Sequence, residues 1–277
     1  MRNRLVSYIG RNLGMEFEPK MLPVDFVVNG KYMGSYFLSQ LIEIDSTRVA
    51  IDKLTANPED NEEPNITGGY ILAMEPYPAE PEGNTFTTSR GVRFQADSPV
   101  FASDKPGKKL GTQEQKDYIF GHLQKVEDAL YGEGMKDQNG VPYSNYMDLK
   151  SSADYWWIQE YTINSDAFIT DSTRLYKKRS GKLYWGPLWD FDMSTYSGFP
   201  GEGFNNSDMP WLDYMRAFDP EYQKVLKEEW ARFSDITDEI VRENGITTSI
   251  GKKPGSPGKI IINYGEMRMR IPEASMI

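Results

Sequence analysis

Four aspartates stand close together in the stretch "NSDAFITDSTRLYKKRSGKLYWGPLWDFDMS": Asp166, Asp171, Asp190 and Asp192. Carboxylates at such spacing can do two kinds of chemistry. They can hold a hard divalent cation through oxygen ligands, and one of them can take or orient the proton of a reacting hydroxyl. The chain has no cysteine and a single histidine, His122, so its ligand set suits magnesium, manganese or calcium and not zinc. The plainer reading is that the acids are solvated loop ends, where aspartate is common for its own hydrogen bonds to the backbone.

The segment between the acids must position them. "RLYKK" and "KLYWG" flank Ser180-Gly181, and the pattern predicts a β-hairpin with a two-residue turn. Pairing Arg179 with Lys182 sets Asp171 opposite Asp190 at the open end, with a carboxylate separation of roughly 4 to 6 Å if a metal bridges them. Like charges so opposed destabilise a sheet, so the register either frays before the acids or a cation lies between them.

Around the hairpin the periodicity changes along the chain. Leu5, Ile9 and Leu13, with Gly14 as a stop, predict an amphipathic helix over 2–13. Val24, Phe26 and Val28, then Asn29-Gly30, predict a hairpin, and "TGGYILAME" and "GVRFQ" continue a mostly antiparallel sheet over 20–100. Thr112 and Gln115 form a capping box before the stripe Ile119, Leu123, Val126, Leu130, giving a helix over 112–131. Ser151 caps a second helix over 152–165, with Trp156 and Trp157 in the core, and Asp219-Pro220 starts a third over 219–233. The expectation is an α+β, kinase-like fold: a β-rich part over 1–105, a helical part over 106–245 carrying the hairpin, and a loosely packed tail over 246–277.

Composition narrows the function classes. A net charge of −10 with no basic stripe argues against a nucleic-acid surface and suits a basic partner. No apolar run is long enough to span a bilayer, and "MRNRLVSYIGRNLG" has no signal-peptide core.

The order of the acids is informative. Protein kinases place an Asp at the acceptor hydroxyl, a metal-binding Asn five residues on, a hairpin, and then a metal-binding Asp. With "VNGKYMGSYFLSQLIEID", "ITGGYILAME", "YTINSDAFITDSTRLYKK" and "LYWGPLWDFDMS", the chain resembles the spore-coat CotH kinase family, atypical kinases that phosphorylate protein serines. The resemblance implies ATP and a divalent metal, with Asp166 similar to the catalytic Asp and Asp190 to the metal-binding one. Asp192 shares the Trp-Asp-x-Asp motif, and Asp171 follows from register and the kinase analogy. It further implies a protein substrate bearing Ser or Thr, and a spore-coat, cell-surface or extracellular setting. The chain departs from the family at Gln40 and Ala73, where acids are usual, and at Asp97, where Lys-x-Pro is frequent. The expected upstream strand with a phosphate-contacting lysine is also missing. Two competing expectations follow: an inactive coat or binding module that keeps the cation, and a calcium-stabilised carbohydrate-associated domain presenting Tyr196, Phe199, Phe204 and Trp211.

Overall fold

The structure, a computed structural model, describes residues 2–74, 81, 83–164, 172–192 and 209–241. Its elements in chain order are α1 (Arg2–Leu13), β1 (Met21–Val28), β2 (Lys31–Ser39), β3 (Tyr70–Met74), β4 (Thr85–Thr87), β5 (Arg93–Ser98), α2 (Gln113–Leu130), α3 (Leu149–Thr162), β6 (Thr173–Lys177), β7 (Leu183–Trp185), α4 (Leu212–Phe218) and α5 (Pro220–Val241). This is an α+β fold, with strands mostly in the first half and helices later, as expected from the change of period.

The strands form two sheets, where the sequence predicts one over 20–100. β1 and β2 pair only with each other, whereas the main sheet runs β4-β5-β3-β6-β7 with every neighbour antiparallel. The reason lies in β3. Every residue of Tyr70–Met74 is buried, so both of its edges must be paired, and the hairpin from the later half supplies β6 for one of them. Asn29-Gly30 does make the β1–β2 turn, with both residues at positive φ (49° and 80°) as a primed turn requires. Opposite Leu22 stands Leu38 and opposite Val24 stands Tyr36, with the Phe26 ring edge-on to Tyr36 at 5.4 Å between centroids. This face is exposed to solvent, Leu22 to 62% and Leu38 to 64%.

The helices pack one layer of core against the main sheet. Leu5, Ile9 and Leu13 of α1, Ile119, Leu123, Val126 and Leu130 of α2, and Trp156 and Trp157 of α3 are all buried in one cluster. The capping box at Thr112 and Gln115 is formed. At α3 the cap is Asp148, which accepts the Ser151 N–H, and not Ser151: the helix starts three residues sooner, where Asp148 also donates its N–H to the Leu183 carbonyl of β7 at 2.9 Å. α5 runs two turns past the predicted end at 233, with Phe233 and Ile240 continuing its buried face. Trp211 is no exposed aromatic: it is 1% exposed, stacks near Phe94 and donates its indole N–H to Glu127 at 3.1 Å. Tyr196, Phe199 and Phe204 lie outside the described residues. Glu127 itself is fully buried and also accepts from Thr88 Oγ1 (2.6 Å), Ser89 Oγ (3.2 Å) and Arg90 N (2.9 Å), so one carboxylate ties α2 to the β4–β5 connection and to the start of α4.

Candidate functional site

The hairpin that leads to the acids forms in a different register from the one its turn residues predict. Leu175 pairs with Trp185, Tyr176 with Tyr184 and Lys177 with Leu183, so Arg179 does not pair with Lys182. The chain reverses through Lys178–Gly181, where Gly181 N–H donates to the Lys178 carbonyl at 3.1 Å and Ser180 sits at φ 52°. Contacts from outside the hairpin decide this. Ser180 N–H donates to Thr67 Oγ1 (2.8 Å), Gly69 N–H to the Lys177 carbonyl (2.9 Å), and the buried Lys177 ammonium to the carbonyls of Thr67 (2.6 Å) and Gly181 (2.8 Å). A side chain at Gly68 would begin 1.9 Å from Arg179 N, so only glycine lets the two backbones lie this close. A slip of one residue exchanges the faces of a strand. The described pairs run only from Leu175 to Lys177, so the expected pairing of Asp171 with Asp190 falls beyond them. Asp171 and Asp166 lie outside the described residues.

Asp190 and Asp192 are described. Phe191 between them is 1% exposed and anchored in the core, and both aspartates are exposed, so the alternation turns the two carboxylates to the solvent side of one segment. Asp190 holds a left-handed backbone, φ 61°, which aspartate tolerates better than most residues and which is typical of strained functional segments. Ser172 Oγ lies 3.5 Å from Asp190 Oδ2. The N-terminal end of α1 fixes the segment from the other side: Phe191 N–H donates to Asn3 Oδ1 at 2.5 Å, and Arg2 Nη1 donates to the Asp192 carbonyl at 2.8 Å.

A third hold comes from Glu18, which is 8% exposed and accepts the Leu188 N–H at 3.1 Å. Burial pushes its carboxyl up to about 8, against the opposing pull of the Leu188 N–H and the Arg11 charge. Gly10 of α1 makes room for this junction, since a Cβ there would stand 2.7 Å from Leu188 Cδ1 and 3.1 Å from Glu18 Cδ. Arg2, Asn3, Gly10 and Glu18 were not legible as site residues. The apolar stripe of α1 gives its buried face but not what its polar residues meet 170 or more positions away.

The donor set is carboxylate and hydroxyl oxygen, which fits a hard divalent cation. Among the described residues, no group of three or more His, Cys, Asp or Glu side chains is close enough to hold a metal by themselves. The departures from the family pattern have structural explanations. Ala73 is fully buried between Gln95 and Arg174 in the main sheet, where a carboxylate would have no water. Asp97 is paired with Arg174 at 2.9 Å. Gln40 spans two strands' ends, its Oε1 accepting the Lys20 N–H (3.1 Å) and its Nε2 donating to the Thr47 carbonyl (3.4 Å).

No helix among the described residues is long and apolar enough to cross a membrane. A search of curated proteins returns no match. The family model described as CotH kinase protein matches residues 1–239, which takes in both sheets, all five helices except the last two residues of α5, and the Asp190-Phe191-Asp192 segment, and the chain therefore belongs to the CotH kinase family.

Proposed function

We propose that the chain is a metal-dependent, CotH-like atypical protein kinase domain that transfers the γ-phosphate of ATP to serine or threonine of a protein. The observation that carries this reading is the segment from Leu188 to Asp192, clamped at the backbone of Leu188, Phe191 and Asp192 by Glu18 and α1 within a chain of this family. Phosphoryl transfer asks little covalent chemistry of a protein and much positioning, so a rigidly held pair of carboxylates is the part that matters. Asp190 and Asp192, with Asp171, would hold a magnesium or manganese ion. When bound, that ion neutralises charge on the phosphates. Asp166 would accept the hydrogen bond of the attacking hydroxyl and orient its oxygen.

The second reading is an inactive coat or binding module that keeps the cation. What favours it is Asp97, where the family often has lysine: its ion pair with Arg174 is built into the sheet and offers nothing cationic to a phosphate. One experiment separates the two. Melting curves with and without magnesium or manganese test the site, and transfer of radiolabelled γ-phosphate to a serine-bearing protein tests turnover. We expect the metal to raise the melting temperature and Asp190→Asn to remove the rise; no metal effect in the unsubstituted chain would sink both readings, and a metal effect without transfer would leave the second.

A further inference from the structure

Between the C-terminal half of α1 and the loop that leaves β2 lies a cavity of about 290 Å³. Arg11, Lys20 and Arg48 line it, and the carboxyl among its lining residues is Glu18. Three cations around one cavity run against a chain whose net charge is −10. Arg48 is ion-paired with Glu43, while Arg11 and Lys20 have no carboxylate within ion-pair distance among the described residues. The nearest hydrogen-bond partner of the Arg11 guanidinium is the neutral Ser7 hydroxyl, 2.9 Å away.

Glu18 does not cancel this charge. Burial raises its carboxyl to about 8, which favours the neutral form, and Oε1 accepts the Leu188 N–H, leaving Oε2. That oxygen is buried and has no hydrogen-bond partner among the described residues. Gln40 keeps the opposite side neutral: its amide both accepts from Lys20 and donates to Thr47, which the glutamate usual in the family could not do.

We propose that this cavity binds a phosphoryl group of a ligand, held by Arg11, Lys20 and Arg48. Guanidinium groups match phosphate oxygens in geometry, and a dianion needs more than one cation to offset its desolvation. Phe17 and Ile42 give the cavity an apolar side for whatever carries the group. The cations of the site lie away from Asp190 and Asp192 along the helix, and Glu18 stands between the two through its bond to Leu188. Asn3 touches Phe191, and the eight residues from Asn3 to Arg11 are about 12 Å of helical rise. The proposal does not rest on phosphoryl transfer by Asp166 and Asp190.

The test is calorimetric titration of the full chain in EDTA, with inorganic pyrophosphate in one arm and a phosphoserine peptide in the other. The result expected is saturable binding in at least one arm, weakened about tenfold or more by the double change Arg11→Ala, Lys20→Ala and by Gln40→Glu, and unaltered by Asp190→Asn. Binding of pyrophosphate alone names a small phosphate ester as the source, and binding of the peptide alone names a phosphorylated protein. Arg11 and Lys20 are exposed, so their loss leaves the core intact, and Gln40→Glu, a change of nearly equal size, keeps the test alive if the double variant does not fold. No saturable binding of either probe at millimolar concentration overturns the proposal, as does equal affinity in the unsubstituted chain and in Gln40→Glu.

Discussion

Asp190 and Glu18 act at the scale of single groups, and each gives a measurable outcome. If Asp190 and Asp192 hold a cation that binds only the folded chain, a metal concentration one hundred times its dissociation constant stabilises by about 2.7 kcal/mol, a rise of a few degrees in melting temperature. Asp190→Asn should remove that rise while leaving the melting temperature without metal within a degree or two, because the side chain is exposed. Glu18 predicts a pH dependence. Its folded-state value is about 8 against an ordinary 4.5, so the folded chain binds the proton more tightly than the unfolded one. The stability tied to that proton is complete below the unfolded value and is lost as pH rises through the folded one. Stability should therefore fall between about pH 4.5 and 8, and the difference between the unsubstituted chain and Glu18→Gln should shrink or change sign across that window. Asp154, raised by burial beside the Lys150 ammonium and Glu229, slopes the same way, so the comparison with Glu18→Gln is what isolates Glu18.

At the scale of elements, the two sheets should respond differently to substitution. The β1–β2 hairpin shows Leu22 and Leu38 to solvent, so Leu22→Ser with Leu38→Ser should cost under about 1 kcal/mol in a urea titration with an unchanged slope. Loss of Glu127 is another matter. Glu127→Ala leaves buried donors from Thr88, Ser89, Arg90 and Trp211 without their acceptor and should cost about 3 to 5 kcal/mol. Trp211→Phe removes one of the four bonds and replaces the indole with a smaller ring, so about 2 to 3 kcal/mol is expected. Equal losses for Glu127→Ala and the hairpin pair would contradict the burial on which both expectations rest.

At the scale of the whole molecule, α1 joins the Leu188–Asp192 segment to the helical core. Its first residues hold Phe191 and Asp192, and its last carbonyl, Leu13, accepts from Lys150 of α3 (3.2 Å) and Arg232 of α5 (2.6 Å). Gly10 is where this joint can be loosened. A Gly→Ala change inside a helix ordinarily stabilises by about 0.5 to 1 kcal/mol, and Gly121 of α2, with nothing within 4 Å of a new Cβ, should behave so. Gly10→Ala instead drives a methyl into Leu188 and Glu18. It should lower the melting temperature and weaken the metal-induced rise, whereas Gly121→Ala should raise the one and leave the other. The pair of melting curves, each with and without metal, reads this directly.

What the sequence determined by itself is what depends on neighbours along the chain. The stripes of α1 and α2, the capping box at Thr112 and the Asn29-Gly30 turn are set by a period of 3.6 residues and by local hydrogen bonds. Ser180-Gly181 misleads because its turn is not decided locally: Thr67, Gly68 and the buried Lys177 fix the register from 110 positions away, and a preference of a fraction of a kcal/mol yields to several buried hydrogen bonds. For the same reason the tertiary structure alone decided that the later hairpin completes the first half's sheet, that Asn3 and Arg2 hold Phe191 and Asp192, and that Arg11, Lys20 and Arg48 line one cavity with Glu18. Each of those depends on which distant surfaces bury one another, and burial is a property of the folded chain that no local period encodes.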